Sequence, residues 1–464
     1  MNDASDIRDR SEQALDRRIT AAPRGHILTN TNVWSRDGKS IAYDTRSDPA
    51  GSVFDGTSIE TVDPATGRVR VIYDAGPCGV VTFDPNHPRV AFIRGPLHPT
   101  PDWAYSATHR EGMLLDLDGP HDRPPDHPGV AAVLDARDLV PPFTPGALRG
   151  GSHVHVFSPD SRFVSFTYED AVLERFDPKT PGHDRNTRAV GVTLLAHPVR
   201  VPKGDHTQDH NVDRNQDGAG FTVLVTALAD DPADGTDQIS RAFEEAWVGN
   251  AGYVRPDGSR QKYALAFQGR VFSRPDVEID EVFIVDLPDD ITRPGDGPLQ
   301  GTATRRPFPP AGTRQRRLTR TTDRQHPGIQ GPRHWLRSSP DGSAIGFLMR
   351  DDLGVSQFCT VSPNGGPIRQ VTRGKFGIDS AFTWHPGGRL VAAVMDRSVV
   401  TIDVPTGRVE RLTRRADTDD APRPEACVFS PDGSAVAYVR RVRGEAGVFN
   451  QIFVVTVPNP AEAT

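Results

Sequence analysis

Two histidines one residue apart, His153 and His155 in GGSHVHVFSPD (150–160), have the type and spacing best suited to chemistry in this sequence. In an extended strand, residues two apart face the same way, so the pair is expected to present two imidazoles to one ligand. Neutral imidazole nitrogen binds Zn²⁺, Mn²⁺, Fe²⁺ or Ni²⁺ well. A third histidine, His334, takes the place of His153 when the repeats described below are aligned on their turns. The expected divalent-metal set is therefore His153, His155 and His334, with His210 as fourth ligand or proton-transfer base. His210 lies in GDHTQDHNVD (204–213), four residues after His206, and His326 stands eight residues before His334.

Arg149, Arg333 and Arg241 flank these positions, and guanidinium forks match carboxylates bidentately. They are expected to orient a small anionic substrate. The plainer reading of each residue stays open. A strand HxH pair is often held by water or backbone, and in so Arg-rich a chain any loop has an arginine nearby. Glu244 and Glu245 read as solvated residues on the polar face of a helix. The sequence contains no nucleophile elbow, P-loop or dinucleotide fingerprint.

The bulk composition narrows the class. With 25% charged and 36% hydrophobic residues, the chain reads as soluble and globular. Net charge is −7, without the basic balance typical of a nucleic-acid binder. No apolar run is long enough to span a membrane. The polar start MNDASDIRDRSEQALDRR does not read as a secretory signal. Cys78, Cys359 and Cys427 are too far apart for a CxxC metal pair. A cytoplasmic location is the expectation.

The elements that must position the histidines come from internal repetition. An aromatic, a polar-Pro-Asp-Gly turn and an alternating apolar strand recur in NVWSRDGKSIAY (32–43), VTFDPNHPRVAFI (81–93) and HVFSPDSRFVSFT (155–167). They return in WLRSSPDGSAIGFL (335–348), FTWHPGGRLVAAV (382–394) and CVFSPDGSAVAYV (427–439). DPATGRV (63–69) and DVPTGRV (403–409) mark a second hairpin further along the unit. Each unit reads as four antiparallel strands, the content of a propeller blade. The expected fold is all-β: a single β-propeller of seven blades, with eight as the alternative, closed by an N-terminal strand that completes the last blade. Residues 26–30 are the expected closing strand.

The expected organisation is a polar segment 1–23, a propeller 24–457 and a tail 458–464, with insertions at 95–130, 229–249 and 288–316. Within 229–249, Ile239, Phe243 and Trp247 at i, i+4 and i+8 predict a short amphipathic helix capped by Asp237 or Ser240.

The WSRDGK and FSPDG units resemble the TolB-like propeller superfamily. GGSHVHVFSPD, ISRAFEEAWVG, ALAFQG, EVFIVDLP, QRRLTR, PRHW and FLMRDD resemble a bacterial propeller family related to oligogalacturonate lyases. The resemblance implies seven blades, a divalent metal with Mn²⁺ preferred, and β-elimination of uronate oligomers. It also implies that His153 and His155 match the HxH metal-ligand pair, with His334 as the third imidazole. Gly150 stands where that family carries a ligand glutamine, and this HxH falls in an early blade. Two functions follow: a metal-dependent lyase acting on a small anionic, uronate-like carboxylate, or a non-catalytic propeller that binds a protein or peptide partner.

Overall fold

The computed structural model describes residues 7–29, 31–48, 53–118, 131–179, 181–203, 212–274, 277–332, 336–425 and 427–458. The chain is an all-β propeller of seven four-stranded blades. Among the described residues, helix is limited to three short 3₁₀ turns, and no helix is long and apolar enough to cross a membrane.

The repeated turn has a side-chain cause. In the third blade the Ser158 hydroxyl donates to Asp160 at 2.8 Å and accepts from the Phe163 N–H at 2.9 Å. The same box forms at Ser35–Asp37, Ser339–Asp341 and Ser430–Asp432. Serine and aspartate thus satisfy the turn's polar groups locally and fix the register of the strand that follows. That strand alternates because its two faces pack against different layers. In the third blade, Phe163 joins one hydrophobic cluster and Val164 another.

The seventh blade is closed from the N-terminus, by a different segment from the one expected. Asp16–Arg18 pairs antiparallel with Phe453–Val455 as its outer strand, and Tyr438 donates to Asp16 at 2.7 Å. Residues 26–30 do not fill that place, because Gly25–Ile27 pairs with Asp44–Arg46 within the first blade. A further strand, Arg8–Asp9, adds in parallel to Glu410–Arg411 of the sixth blade. The propeller therefore begins well before residue 24.

The helix expected at 237–249 is a strand. Arg241–Trp247 is the inner strand of the fourth blade and pairs with Ala264–Arg274. Tyr253–Val254 and Arg260–Gln261 form an inserted two-stranded hairpin. Seven blades are thus reached with the fourth anchored on AFEEAW.

The described residues divide into two units: those of 7–83 and 319–458 form one, those of 84–118 and 131–318 the other. The site described next lies within the second. The three cysteines are buried.

Candidate functional site

The inner strand of the third blade, Gly150–Phe157, opens on two glycines for lack of room. A Cβ on Gly150 would stand 2.1 Å from the Glu169 carbonyl oxygen, and one on Gly151 would stand 2.3 Å from that of Ala107. A ligand glutamine at position 150 is therefore sterically excluded.

Further along, the strand bulges. His153 pairs with Thr167 and Val156 with Ser165, so Val154 and His155 together oppose Phe166. Val154 takes the left-handed conformation at φ 58°, unusual for a β-branched residue. The extra residue reverses the alternation. His153 shares the face of Thr167, whose hydroxyl reaches Glu245 of the fourth blade. His155 turns to the other face, its ring 5.9 Å from that of Phe166. The expectation that both imidazoles point one way is overturned.

His155 is fully buried. Its Nε2 lies 3.3 Å from Asp135 Oδ2 and 3.1 Å from the Ser152 hydroxyl. Asp135 also accepts from Ser152 at 2.8 Å, from Thr222 at 3.2 Å and from Thr193. Burial pushes the Asp135 carboxyl up, but bonding and charge from His155, with the hydroxyls of Thr193 and Ser152, hold it below its ordinary value. Ser152 and Asp135 meet the same ring nitrogen, so the group is not a nucleophilic relay, which needs the base's two nitrogens to serve different partners. Gly112 admits it: a Cβ there would lie 2.5 Å from both Asp135 Oδ2 and His155 Nε2.

The fourth blade repeats the device. Phe243 pairs with Gln268 and Ala246 with Ala266, leaving Glu244 and Glu245 in the bulge, with Glu244 at φ 56°. Glu245 occupies the position of His155, is buried, and accepts from Thr167 Oγ1 at 3.0 Å. Glu244 occupies the position of Val154 and accepts from Gln268 Nε2 at 2.6 Å. These carboxylates, read from sequence as solvated, belong to the interior of the candidate site. The signal was available: AFEEAW aligns with HVHVF as an inner strand.

At the start of the same strand stands Arg241, on a strand rather than the expected helix, paired across with Arg270. Its guanidinium lies 5.2 Å over the Phe243 ring, and its buried Nε has no hydrogen-bond partner among the described residues. Burial, then the nearby Arg188 and Arg270, push its pKa down. Those two neighbours are each compensated, Arg188 by Glu169 at 2.5 Å and Arg270 by Asp280 at 2.9 Å. Arg241 is thus the cation of the trio without an ion-pair partner of its own among the described residues.

Arg149 is not available to a ligand. It is fully buried, bonds Asp170 through Nε at 3.1 Å and the Thr302 carbonyl, and lies 4.9 Å over Phe143. His334, Arg333, His206 and His210 lie outside the described residues. His326 is half-buried in the other unit. Among the described residues, no three His, Cys, Asp or Glu side chains come together to hold a metal ion. The pair His153–His155 does not fit a shared metal because the bulge sends the two rings to opposite faces.

The sequence itself places the protein among relatives. A family model described as "Protein of unknown function (DUF3748)" matches residues 77–210, the stretch carrying Arg149, His153 and His155. "Uncharacterized protein YidR" of Escherichia coli (strain K12) is 42% identical over 430 residues, spanning 91% of this chain and 94% of that protein. The chain belongs to the YidR family. Among solved structures, this YidR-family chain is similar to an oligogalacturonate lyase in complex with manganese, with TM-score 0.55 and 13% identity over 98% of this chain and 96% of the other. It is also similar to an oligogalacturonate lyase from Vibrio parahaemolyticus, with TM-score 0.57 and 9% identity over 98% and 96%. At these identities the likeness is one of fold, so YidR-family chemistry is argued from the residues above.

Proposed function

We propose that the protein is a propeller enzyme that binds a small anionic, uronate-like carboxylate at Arg241 and acts on it by proton abstraction and β-elimination. The observation that carries this reading is Arg241: a cation part-buried between two ion-paired arginines, stacked on an aromatic ring and without an ion pair of its own among the described residues. A carboxylate ligand would give Arg241 a partner of its own, and the bidentate fork would fix its plane. Neutralising the carboxylate also acidifies the adjacent C–H, the bond that β-elimination must break. Two carboxylates, the half-buried Glu244 and the buried Glu245, stand a few residues further along the same strand. The fold shared with oligogalacturonate lyases supports the reaction class. The neighbour that holds manganese supports metal use as well, but the described residues do not build the expected centre.

The test is isothermal titration with digalacturonate, followed by an absorbance assay for the unsaturated uronate product. Saturable binding lost in Arg241→Ala supports the reading; absence of binding by the wild type sinks it.

The second reading, a propeller that binds a protein or peptide, is favoured by a cavity of about 690 Å³ lined by Leu228, Phe308, Pro309, Pro310, Arg305 and Asp230. Replacing Phe308 and Leu228 by Ser would abolish partner binding and leave digalacturonate binding unchanged.

A further inference from the structure

Glu244 combines three properties that no neighbouring carboxylate shares. It is a non-glycine residue in the left-handed region at φ 56°, it accepts a hydrogen bond from the buried Gln268 at 2.6 Å, and it sits on the strand that begins with Arg241. Side chains are seldom held in that backbone region unless the surrounding structure imposes it, and such positions cluster where function needs them. The equivalent positions in the second and third blades, Val80 and Val154, share the conformation but carry nothing that can accept a proton. Gln268 and Arg270, two apart on the neighbouring strand, pair with Phe243 and Arg241 and so lie on one face. Through Gln268, Glu244 is tied to the face that holds Arg241. Glu244 stands three positions after Arg241, about 10 Å along the strand.

Resting on the carboxylate reading of Arg241, we infer that Glu244 is the base that takes the proton, and that Gln268 is its positioning residue. The Gln268 amide donates to the carboxylate and fixes its orientation. In the step, Glu244 removes the proton from the carbon next to the ligand carboxylate. The C–H electron pair becomes the new C=C bond, the C–O bond at the next carbon breaks, and the departing oxygen takes a proton from the newly formed Glu244 acid. Atoms and charge balance without oxidant or reductant.

Two measurements test this. With digalacturonate as probe, Glu244→Gln is expected to bind within about threefold of wild type yet lose at least about 100-fold in product formation, the scale of a general base. Gln268→Glu, which replaces the donor by a second carboxylate, is expected to lower kcat with KM little changed. Product formation by Glu244→Gln at the wild-type rate overturns the inference. A wild type that takes up no digalacturonate fells the Arg241 reading and this inference with it; a wild type that binds and turns over digalacturonate, with Glu244→Gln equally active, overturns this inference alone.

Discussion

Replacing His155 by alanine separates the two roles open to an imidazole at that position. As a buried member of the Asp135 cluster, His155 contributes a hydrogen bond to a charged partner, typically about 1.5–3 kcal/mol, and its ring fills space that alanine leaves empty. Ser152, Thr193 and Thr222 still donate to Asp135 in the variant, which limits the loss. A destabilisation of about 2–4 kcal/mol follows. At roughly 2.1 cal/mol/K of unfolding entropy per residue, a chain of this length loses about 1 °C of Tm per kcal/mol, so the expected drop is about 2–4 °C. His153→Ala, removing a half-buried ring, is expected to cost less than about 1 kcal/mol. The assay is a thermal melt of both variants, with and without added Mn²⁺. Equal Tm for His155→Ala and wild type, or Mn²⁺ stabilising the wild type but not His155→Ala, would refute the assignment of His155 to the fold.

Other consequences follow from the same packing. Gly112→Ala drives a Cβ against Asp135 and His155 and is expected to destabilise by about 1–3 kcal/mol, read from urea denaturation midpoints. Arg149→Ala strands the buried Asp170 and is expected to cost about 3–5 kcal/mol while leaving digalacturonate affinity unchanged in whatever fraction stays folded. The Asp135 carboxyl has a lower pKa folded than the roughly 3.9 of an unfolded aspartate. Its stabilisation is therefore present above about pH 4 and lost as pH falls through the folded value, so Asp135→Asn should flatten the acid limb of the stability–pH curve. A curve for Asp135→Asn parallel to wild type below pH 4 would contradict that.

The blade architecture was legible because each unit carries its own turn chemistry. Ser158 and Asp160 tie their turn with side-chain bonds that depend on residue type alone. The site was less legible because its geometry depends on the bulges, and nothing in HVH or FEE announces one. No glycine marks the left-handed residue; it is Val154 in one strand and Glu244 in the other. Reading straight alternation through Val154 put both imidazoles on one face. In the fourth blade, the extra residue places Phe243 and Trp247 on opposite faces although they are four apart, and with Ile239 they imitate a helical spacing. The strand shows itself in Trp247, whose indole N–H donates to the Val156 carbonyl at 3.0 Å across to the third blade. Arg149 could not be told from a ligand-binding arginine by sequence, because its partner Asp170 lies 21 residues away on the next strand.

The central claim is that Arg241, which has no ion pair of its own among the described residues, receives a substrate carboxylate. Isothermal titration of digalacturonate into wild type and Arg241→Ala tests it most directly. A charge-assisted hydrogen-bonded contact of about 1.5–3 kcal/mol predicts saturable wild-type binding that weakens by about 10- to 150-fold in the variant. Equal affinity in the two proteins, or a wild type that takes up no ligand, would contradict it.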